Sequence, residues 1–313
     1  AIFLINLPLA GLALLLAWRH LPADRPMARA GRARFDHLGT LLLSTSLAAY
    51  ALAMTLGRGN FGPLNAALLF AAAVGAGLFV RVEAKTASPL IRLAMFRDPP
   101  LGASFVMSAL VMTVMMATLV VGPFYLATAL ALDTARVGLA MSAGPIVSAL
   151  TGVPAGRVVD RFGAQRMTRV GLGAMASGAC SLVMLPMTLG VFGYIAPLIL
   201  ITAGYALFQA ANNTAVMADV RPDQRGVVSG LLNLSRNLGL ITGASVMGSV
   251  FAFGAATRDI TSAHPQAIAA GMRATFAVAA LLMVIALAIA LASHALAQRA
   301  VPAKAGADGS SVG

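Results

Sequence analysis

Long apolar runs separated by short polar segments are the main pattern of this chain. Nine runs approach the length of about 20 residues that an α-helix needs to cross the hydrocarbon core of a bilayer. They cover residues 1–17, 38–56, 64–80, 101–122, 137–155, 167–189, 194–217, 227–253 and 274–297. Gly122 and Pro123 are expected to bend or end the fourth of these helices. The pattern predicts an all-α polytopic membrane protein with nine spans present.

Basic residues mark one side of the predicted membrane. Of the 22 Lys and Arg residues, 17 fall in segments on one side, 4 on the other, and one, Arg236, lies within a span. The side with more basic residues is cytoplasmic by the positive-inside rule. This places the C-terminus in the cytoplasm and predicts a multi-pass protein of the inner (plasma) membrane. The segments 18–37, 83–100 and 298–313 then become a cytoplasmic linker, a cytoplasmic loop and a disordered cytoplasmic tail.

Composition narrows the class of protein. The chain is 59% hydrophobic and 10% charged, whereas a typical soluble domain is about 25% charged. The net charge of +12 does not indicate nucleic-acid binding, because the basic residues are spread over short loops instead of forming one patch. Cys180 is the one cysteine, and the four histidines are scattered, so we expect no internal disulfide and no metal site.

The short basic segment 156–166 separates two of the long apolar runs. Gly156 and Gly163 are expected to permit a tight turn at the membrane surface. Asp160 can accept hydrogen bonds from the first N–H groups of the next helix. Arg161 and Arg166 can contact lipid phosphate or a partner carboxylate. An ordinary positive-inside loop is the alternative interpretation.

Small residues recur at four-residue spacing on two of the predicted spans. One stripe contains Gly144, Ser148 and Gly152 and continues to Gly156, with Pro145 as a kink beside it. A second pair, Gly239 and Gly243, lies on the eighth span. Small residues at this spacing let helices approach closely in lipid. We expect these positions to pack against other helices, either statically or on a helix that bends or slides.

Two spans carry polar side chains that are costly to place in lipid. The eighth span has Asn233, Arg236 and Asn237 on one face, and Arg236 is its only charge well inside the membrane. The seventh span groups four further polar residues, Tyr205, Gln209, Asn212 and Asn213. We interpret both sets as the lining of a substrate pathway. Snorkelling of Arg236 and simple interhelical hydrogen bonding are the alternatives.

Three stretches carry a resemblance to a known family. They are Ile2-Phe3-Leu4-Ile5-Asn6-Leu7-Pro8, the basic segment 156–166, and the late run made of residues 208–213, 225–233 and 236–239. Together they resemble the fourteen-span drug:proton antiporter branch of the major facilitator superfamily, the EmrB/QacA type. The segment 156–166 is similar to the second signature loop of that superfamily, although Ala164 stands where the loop often has a basic residue.

The resemblance implies an architecture and a function. Residues 1–17 would be the last span of an N-terminal bundle, 38–82 two extra spans, and 101–297 a C-terminal six-span bundle, so about five spans would be missing. The implied activity is proton-driven multidrug efflux by alternating access, with no enzyme activity and no cofactor beyond the proton gradient. The signature loop, residues Gly156, Asp160, Arg161, Gly163 and Arg166, would act in gating.

The resemblance leaves the substrate and the partners open. The same superfamily includes exporters of siderophores, lipids and antibiotics, and a non-transporting membrane protein is an alternative of another class. The expected partners are membrane lipid and a small amphipathic substrate, with a periplasmic adaptor or outer-membrane channel as a further option. None of the ten acidic residues lies mid-span, so the proton-carrying residue is expected outside this sequence.

Overall fold

The computed structural model describes residues 4, 6–20, 36–56, 61–86, 89–218, 220–256 and 264–308. Within these ranges the chain folds into long helices joined by short segments. The helices are α1 Asn6–His20, α2 His37–Thr55, α3 Pro63–Glu83, α4 Pro99–Phe124, α5 Thr134–Phe162, α6 Ala164–Met184, α7 Gly190–Ala218, α8 Arg225–Gly254 and α9 Pro265–Asp308.

The eight helices α2–α9 are each long and apolar enough to cross a membrane. The chain is therefore a multi-pass membrane protein. Helix α1 is described over 15 residues from Asn6, and the start of the first predicted span lies outside the described residues. Residues 1–36 form a unit of their own, and the remaining helices form a second unit.

Helices α4–α9 make the bundle that holds the main core. Helix α6 packs on α7 and α9, α4 packs on α8 and α9, and α5 packs on α7. Tyr194, Phe251 and Phe276 are fully buried in its centre. By contrast, Phe192 and Phe253 are more than four-fifths exposed on the outer surface, as expected for side chains that face lipid.

The close packing of α6 on α7 depends on glycines that the sequence analysis did not single out. A Cβ on Gly171 of α6 would lie 2.8 Å from the Gly204 carbonyl oxygen, and one on Gly204 of α7 would lie 2.8 Å from the Gly171 carbonyl oxygen. The two backbones therefore touch at this point, which only glycine allows. Gly178 makes a similar approach to Ile201 about two turns further along the pair.

Both ends of helix α9 differ from the sequence prediction. Helix α9 begins at Pro265 rather than near residue 274, because Ile268, Ala269 and Met272 of its first turns are buried in the bundle core. It also continues to Asp308, into the segment for which a disordered tail was predicted. Four alanines among residues 298–308 favour a helix there, whereas Pro302 and Gly306 disfavour it.

The predicted break at Gly122 and Pro123 has a different form in the structure. The α-helical pattern of α4 passes through Pro123 to Phe124 and then widens into one π-helical turn, Tyr125–Ala129. Gly122 leaves room for the Tyr194 hydroxyl, whose oxygen lies close to where a Cβ would stand. Helix α4 therefore changes pitch after the proline instead of ending at it.

Helices α2 and α3 form a hairpin that contacts the bundle through α8. Its turn is closed by Asn65, whose amide nitrogen donates to the Ala53 carbonyl at 2.7 Å and whose amide oxygen accepts from the Gly62 N–H at 3.1 Å. The Tyr50 hydroxyl bonds the Thr242 hydroxyl on α8, at 2.5 Å. The hairpin is thus attached to the bundle by a polar contact in an apolar region.

One end of the bundle collects many of the basic residues. At this end α4, α6 and α8 begin and α5 and α7 end, and Arg157, Arg161, Arg166, Arg169 and Arg225 all lie here. We call it the basic end. The charge distribution of the sequence predicts that it faces the cytoplasm.

Candidate functional site

A charged polar contact within the membrane-spanning part of the bundle joins α7 and α8. The Arg236 guanidinium donates a hydrogen bond to the Asn213 amide oxygen at 2.5 Å, and both side chains are half-buried. Arg236 lies roughly 16 Å along α8 from Arg225, well inside the span. An arginine at a helix centre costs about 2.5–3.5 kcal/mol on insertion scales. The Asn213 oxygen offsets part of that cost by accepting a charge-assisted hydrogen bond.

The other polar residues of α7 divide between two sides of the helix. Tyr205 and Gln209 are half-buried. Asn212 is different: only 1% of it is exposed, and its amide nitrogen donates to the Ser108 hydroxyl of α4 at 3.0 Å. Neighbouring residues on a helix point about 100° apart, so Asn212 faces the bundle interior while Asn213 faces α8.

The two asparagines of α8 beside Arg236 form no hydrogen bond to another helix among the described residues. Asn233 and Asn237 are exposed, and the Asn237 amide donates to the Asn233 carbonyl of its own helix at 2.9 Å. They share a face with Arg236, as the spacing predicts. Of the three polar residues that the sequence placed on this face of α8, Arg236 thus makes the one hydrogen bond to another described helix, and the two exposed asparagines lie beside it.

The segment 156–166 is mostly helical, which corrects the prediction of a turn spanning it. Helix α5 continues to Phe162 and α6 begins at Ala164, so the chain reverses at Gly163 alone. Gly163 has φ +88° and ψ 142°, a conformation that is essentially restricted to glycine. Gly156 lies within α5 and has no turning role. The apolar residues of 156–162 continue the helical pattern of α5, and their packing outweighs the preference of Gly156 for a turn.

The expected capping role of Asp160 is also wrong. No side chain caps the start of α6. The residue at the N-cap position of α6 is Gly163, and Asp160 belongs to the last turn of α5. Asp160, Arg161 and Arg166 are all exposed at the basic end. The Arg161 guanidinium stands 5.4 Å from the centre of the Phe162 ring. A gating role for this junction stays a prediction.

The small-residue stripe of α5 is largely open within the part of the chain that the structure describes. A Cβ on Gly144 would be 4.0 Å from the Thr202 hydroxyl of α7, whereas one on Gly152 or Gly156 would meet nothing within 4 Å. Ser148 and Pro145 are exposed. The close helix approach that the stripe predicts is therefore not made by any described helix over Gly152 and Gly156.

The pair on α8 is in close contact. A Cβ on Gly243 would lie 2.8 Å from the Thr113 carbonyl oxygen of α4, and one on Gly239 would overlap the Ala109 backbone. The Thr113 hydroxyl donates to the Gly239 carbonyl at 3.0 Å, across the same contact. The α4 partners were missed from the sequence because a lone Ser108 or Thr113 in an apolar run gives no periodic signal.

Family comparison decides what kind of protein contains this site. The Major Facilitator Superfamily profile matches residues 1–244 of the chain. The chain belongs to this superfamily. Membership places it among membrane transporters rather than enzymes, in agreement with the helical bundle described above.

Individual relatives differ in what they carry. YebQ, an uncharacterized transporter of Escherichia coli (strain K12), is 33% identical over 253 residues, which is 79% of this chain and 54% of YebQ. RibZ, a riboflavin transporter of Clostridioides difficile (strain 630), is 26% identical, with coverage of 80% and 54%. LfrA, a multidrug efflux pump of Mycolicibacterium smegmatis, is 24% identical, with coverage of 80% and 49%. The chain thus spans about half the length of the curated relatives it matches.

Proposed function

We propose that this chain is the C-terminal portion of a proton-driven multidrug exporter of the fourteen-span branch. The observation that carries the proposal is the Arg236–Asn213 bond, a charged polar contact inside the membrane on helices with further polar side chains beside it. A charge is retained at such depth where it faces a cavity or a partner. The similarity to LfrA supports efflux as the direction of transport.

The open faces of α5 and α8 support an incomplete transporter. A Cβ on Gly152 or Gly156 would meet no described atom within 4 Å, and Asn233 and Asn237 are exposed on the polar face of α8. Alternating access needs two helical bundles that rock around a site between them. We propose that a second bundle covers both faces, that the Arg236 side lines the pathway, and that the Gly163 junction belongs to the gate.

Proton coupling is part of the proposal and requires a titratable group in the pathway. We therefore propose that an acidic residue of the N-terminal bundle carries the proton. The substrate would be small and amphipathic, and a periplasmic adaptor or outer-membrane channel would be a partner in a cell with two membranes. A siderophore, lipid or antibiotic exporter is the alternative, and the similarity to RibZ adds riboflavin to the substrates to test.

The decisive experiment measures dye efflux by the full-length protein in cells lacking their own major exporters. We expect Arg236→Ala to abolish efflux and Arg236→Lys to retain part of it, because Lys keeps the charge but not the planar donor fork. Arg225→Ala is the matched control, since Arg225 is exposed at the start of the same helix. Normal efflux by Arg236→Ala at normal expression would overturn the assignment of the site.

Water access tests the same site without transport. In a Cys180→Ser background, Arg236→Cys should react with a small water-soluble thiol reagent faster than Leu240→Cys, which lies four residues along α8. Labelling of Arg236→Cys by lipid-soluble reagents alone would show that Arg236 faces lipid.

Two further results would test the architecture. Residues 1–313 expressed alone should insert but not pump, because one bundle cannot alternate access; gradient-dependent efflux by this chain alone would contradict the proposal. The 17-to-4 distribution of basic residues predicts a cytoplasmic C-terminus. A periplasm-active reporter fused at Ala303 should therefore be inactive.

A further inference from the structure

A polar cavity inside the bundle lies apart from the α7–α8 site. It has a volume of about 210 Å³ and lies at the basic end, between α4, α6, α7 and α9. Neither Arg236 nor Asn213 contributes to its wall. Sites for drug-sized ligands measure about 300–1,000 Å³. This cavity therefore fits a small solute or a headgroup rather than an amphipathic drug.

The buried part of the wall offers hydrogen-bond acceptors. Ser104, Thr168 and Asn212 line the cavity and are at most 7% exposed. The Ser104 and Thr168 hydroxyls each donate to a carbonyl of their own helix at 3.0 Å. The Asn212 amide nitrogen donates to Ser108, and its amide oxygen has no donor among the described residues. The lone pairs that remain can accept from a ligand.

A further hydroxyl of the cavity wall can also act as a hydrogen-bond acceptor. Ser293 of α9 lines the cavity and donates to the Ala290 carbonyl at 3.2 Å. Its proton is therefore also used within its own helix. Four polar side chains from four helices thus present acceptors to one small space. Such a wall suits a ligand group rich in donors, and an ammonium has three.

The lining also includes an acid, Asp98, and a base, Arg169, together with Gln165 and His294. Asp98, at the start of α4, makes no hydrogen bond with its carboxylate to cap that helix. The Arg169 Nε donates to the Gln165 carbonyl at 3.3 Å, which leaves the two terminal amino groups of its fork. Within the described residues neither side chain forms an ion pair. The cavity wall thus contains one acidic and one basic side chain that do not form an ion pair with each other.

We propose that this cavity binds a small zwitterion that carries an ammonium and a phosphate group, as phosphoethanolamine does. The ammonium donates to the acceptor wall and faces Asp98. The phosphate accepts from the Arg169 fork, a geometry in which a guanidinium forms two parallel hydrogen bonds. A free solute and the headgroup of phosphatidylethanolamine carry the same chemistry. The site is independent of the proposed efflux pathway, and binding alone tests it.

The first test needs no variant. The protein purified in a maltoside detergent is titrated calorimetrically with O-phosphoethanolamine, ethanolamine and inorganic phosphate. Phosphoethanolamine should bind at least about tenfold more tightly than either half, because it engages both walls at once. Absence of binding, or equal binding of inorganic phosphate, would overturn the proposal.

Variants locate the site. Arg169→Gln should weaken phosphoethanolamine and phosphate at least about tenfold, while Asp98→Asn should weaken phosphoethanolamine and leave phosphate unchanged. Arg157→Gln is the matched control, because Arg157 is an exposed arginine of the basic end that does not line the cavity. Circular dichroism confirms that each variant is folded. An equal loss in Arg157→Gln would show general attraction to a basic surface and would contradict a built site.

The source of the ligand is resolved by lipid composition. The protein is reconstituted in nanodiscs of phosphatidylglycerol alone or with phosphatidylethanolamine and titrated again with O-phosphoethanolamine. Loss of binding with phosphatidylethanolamine identifies the lipid headgroup as the occupant. Equal binding in both nanodiscs identifies a free solute.

Discussion

Two stripes of small residues with the same spacing have opposite environments in this protein. On α8, Gly239 and Gly243 lie against the backbone of α4, and a Cβ on Gly243 would come within 2.8 Å of the Thr113 carbonyl oxygen. On α5, a Cβ on Gly152 or Gly156 would meet nothing within 4 Å. Spacing therefore identifies a face that can be approached closely. Whether the face is occupied depends on which helix the fold places against it.

The difference suggests separate roles for the two stripes. The α8 stripe holds the six-helix bundle together. We expect the α5 stripe to meet a helix outside the described residues, in the second bundle that the proposed function requires. Substitutions that fill each stripe can separate stability from transport, and the expected effects are given from the largest to the smallest.

Filling the α8 stripe should have the largest effect. Gly239→Leu would push a side chain into the Ala109 backbone, which cannot move aside as a flexible side chain could. We expect a loss of stability of about 3 kcal/mol or more, at the upper end for overpacked cores. The measurement is the unfolding temperature of the purified protein in detergent, with Gly152→Leu as the control. Equal unfolding temperatures for Gly239→Leu and the unmodified protein would contradict the α4–α8 contact.

The junction between α5 and α6 tests conformation instead of packing. Gly163→Ala places a Cβ on a residue with φ +88°, and we expect a cost of about 1–3 kcal/mol. Gly156→Ala is the matched control, because Gly156 is helical and open, and alanine is there neutral or slightly stabilising. Thermal unfolding of both variants is the measurement. We expect Gly163→Ala to lower the stability and Gly156→Ala to leave it unchanged or raise it slightly. Similar destabilisation by both would favour the predicted turn over 156–166 instead.

A smaller effect is expected from the hydrogen bond across the α8 stripe. Thr113→Val removes the bond to the Gly239 carbonyl while keeping the side-chain shape. Bonds of this kind in membrane bundles contribute about 0.6 kcal/mol on average. Thr151→Val is the control, because the Thr151 hydroxyl bonds only the Val147 carbonyl of its own helix. If chemical denaturation gives equal free energies of unfolding for the two variants, the interhelical bond contributes nothing measurable.

Filling the open stripe should have the smallest effect on stability and a large one on transport. Gly152→Leu in residues 1–313 should change the free energy of unfolding by less than about 0.5 kcal/mol, as for other substitutions without neighbours. In the full-length protein the same substitution should reduce dye efflux, because the leucine would hold the second bundle away. Full efflux at normal expression would show that α5 does not face that bundle.

Several features followed from local sequence. The membrane spans could be found without helical periodicity, because an apolar helix of about 20 residues is as long as the hydrocarbon core of the bilayer is thick. Eight of the predicted spans recur as helices of membrane-spanning length. The structure of the segment around Asp160 was harder to predict from the sequence, because its glycines suggested a turn while its apolar residues continued the helix of α5. Only Gly163, with its positive φ, turned the chain.

Sequence alone determined that the chain spans a membrane, that it resembles a transporter superfamily, and that Arg236 needs a polar partner, because these depend on hydrophobicity and charge along the chain. Tertiary structure decided that the partner is Asn213 and that Asn212 faces the bundle interior instead. It also decided which stripe is packed and brought Asp98 and Arg169 to one cavity. Such pairings join residues far apart in sequence, and the apolar runs between them carry no periodic signal of which helices become neighbours.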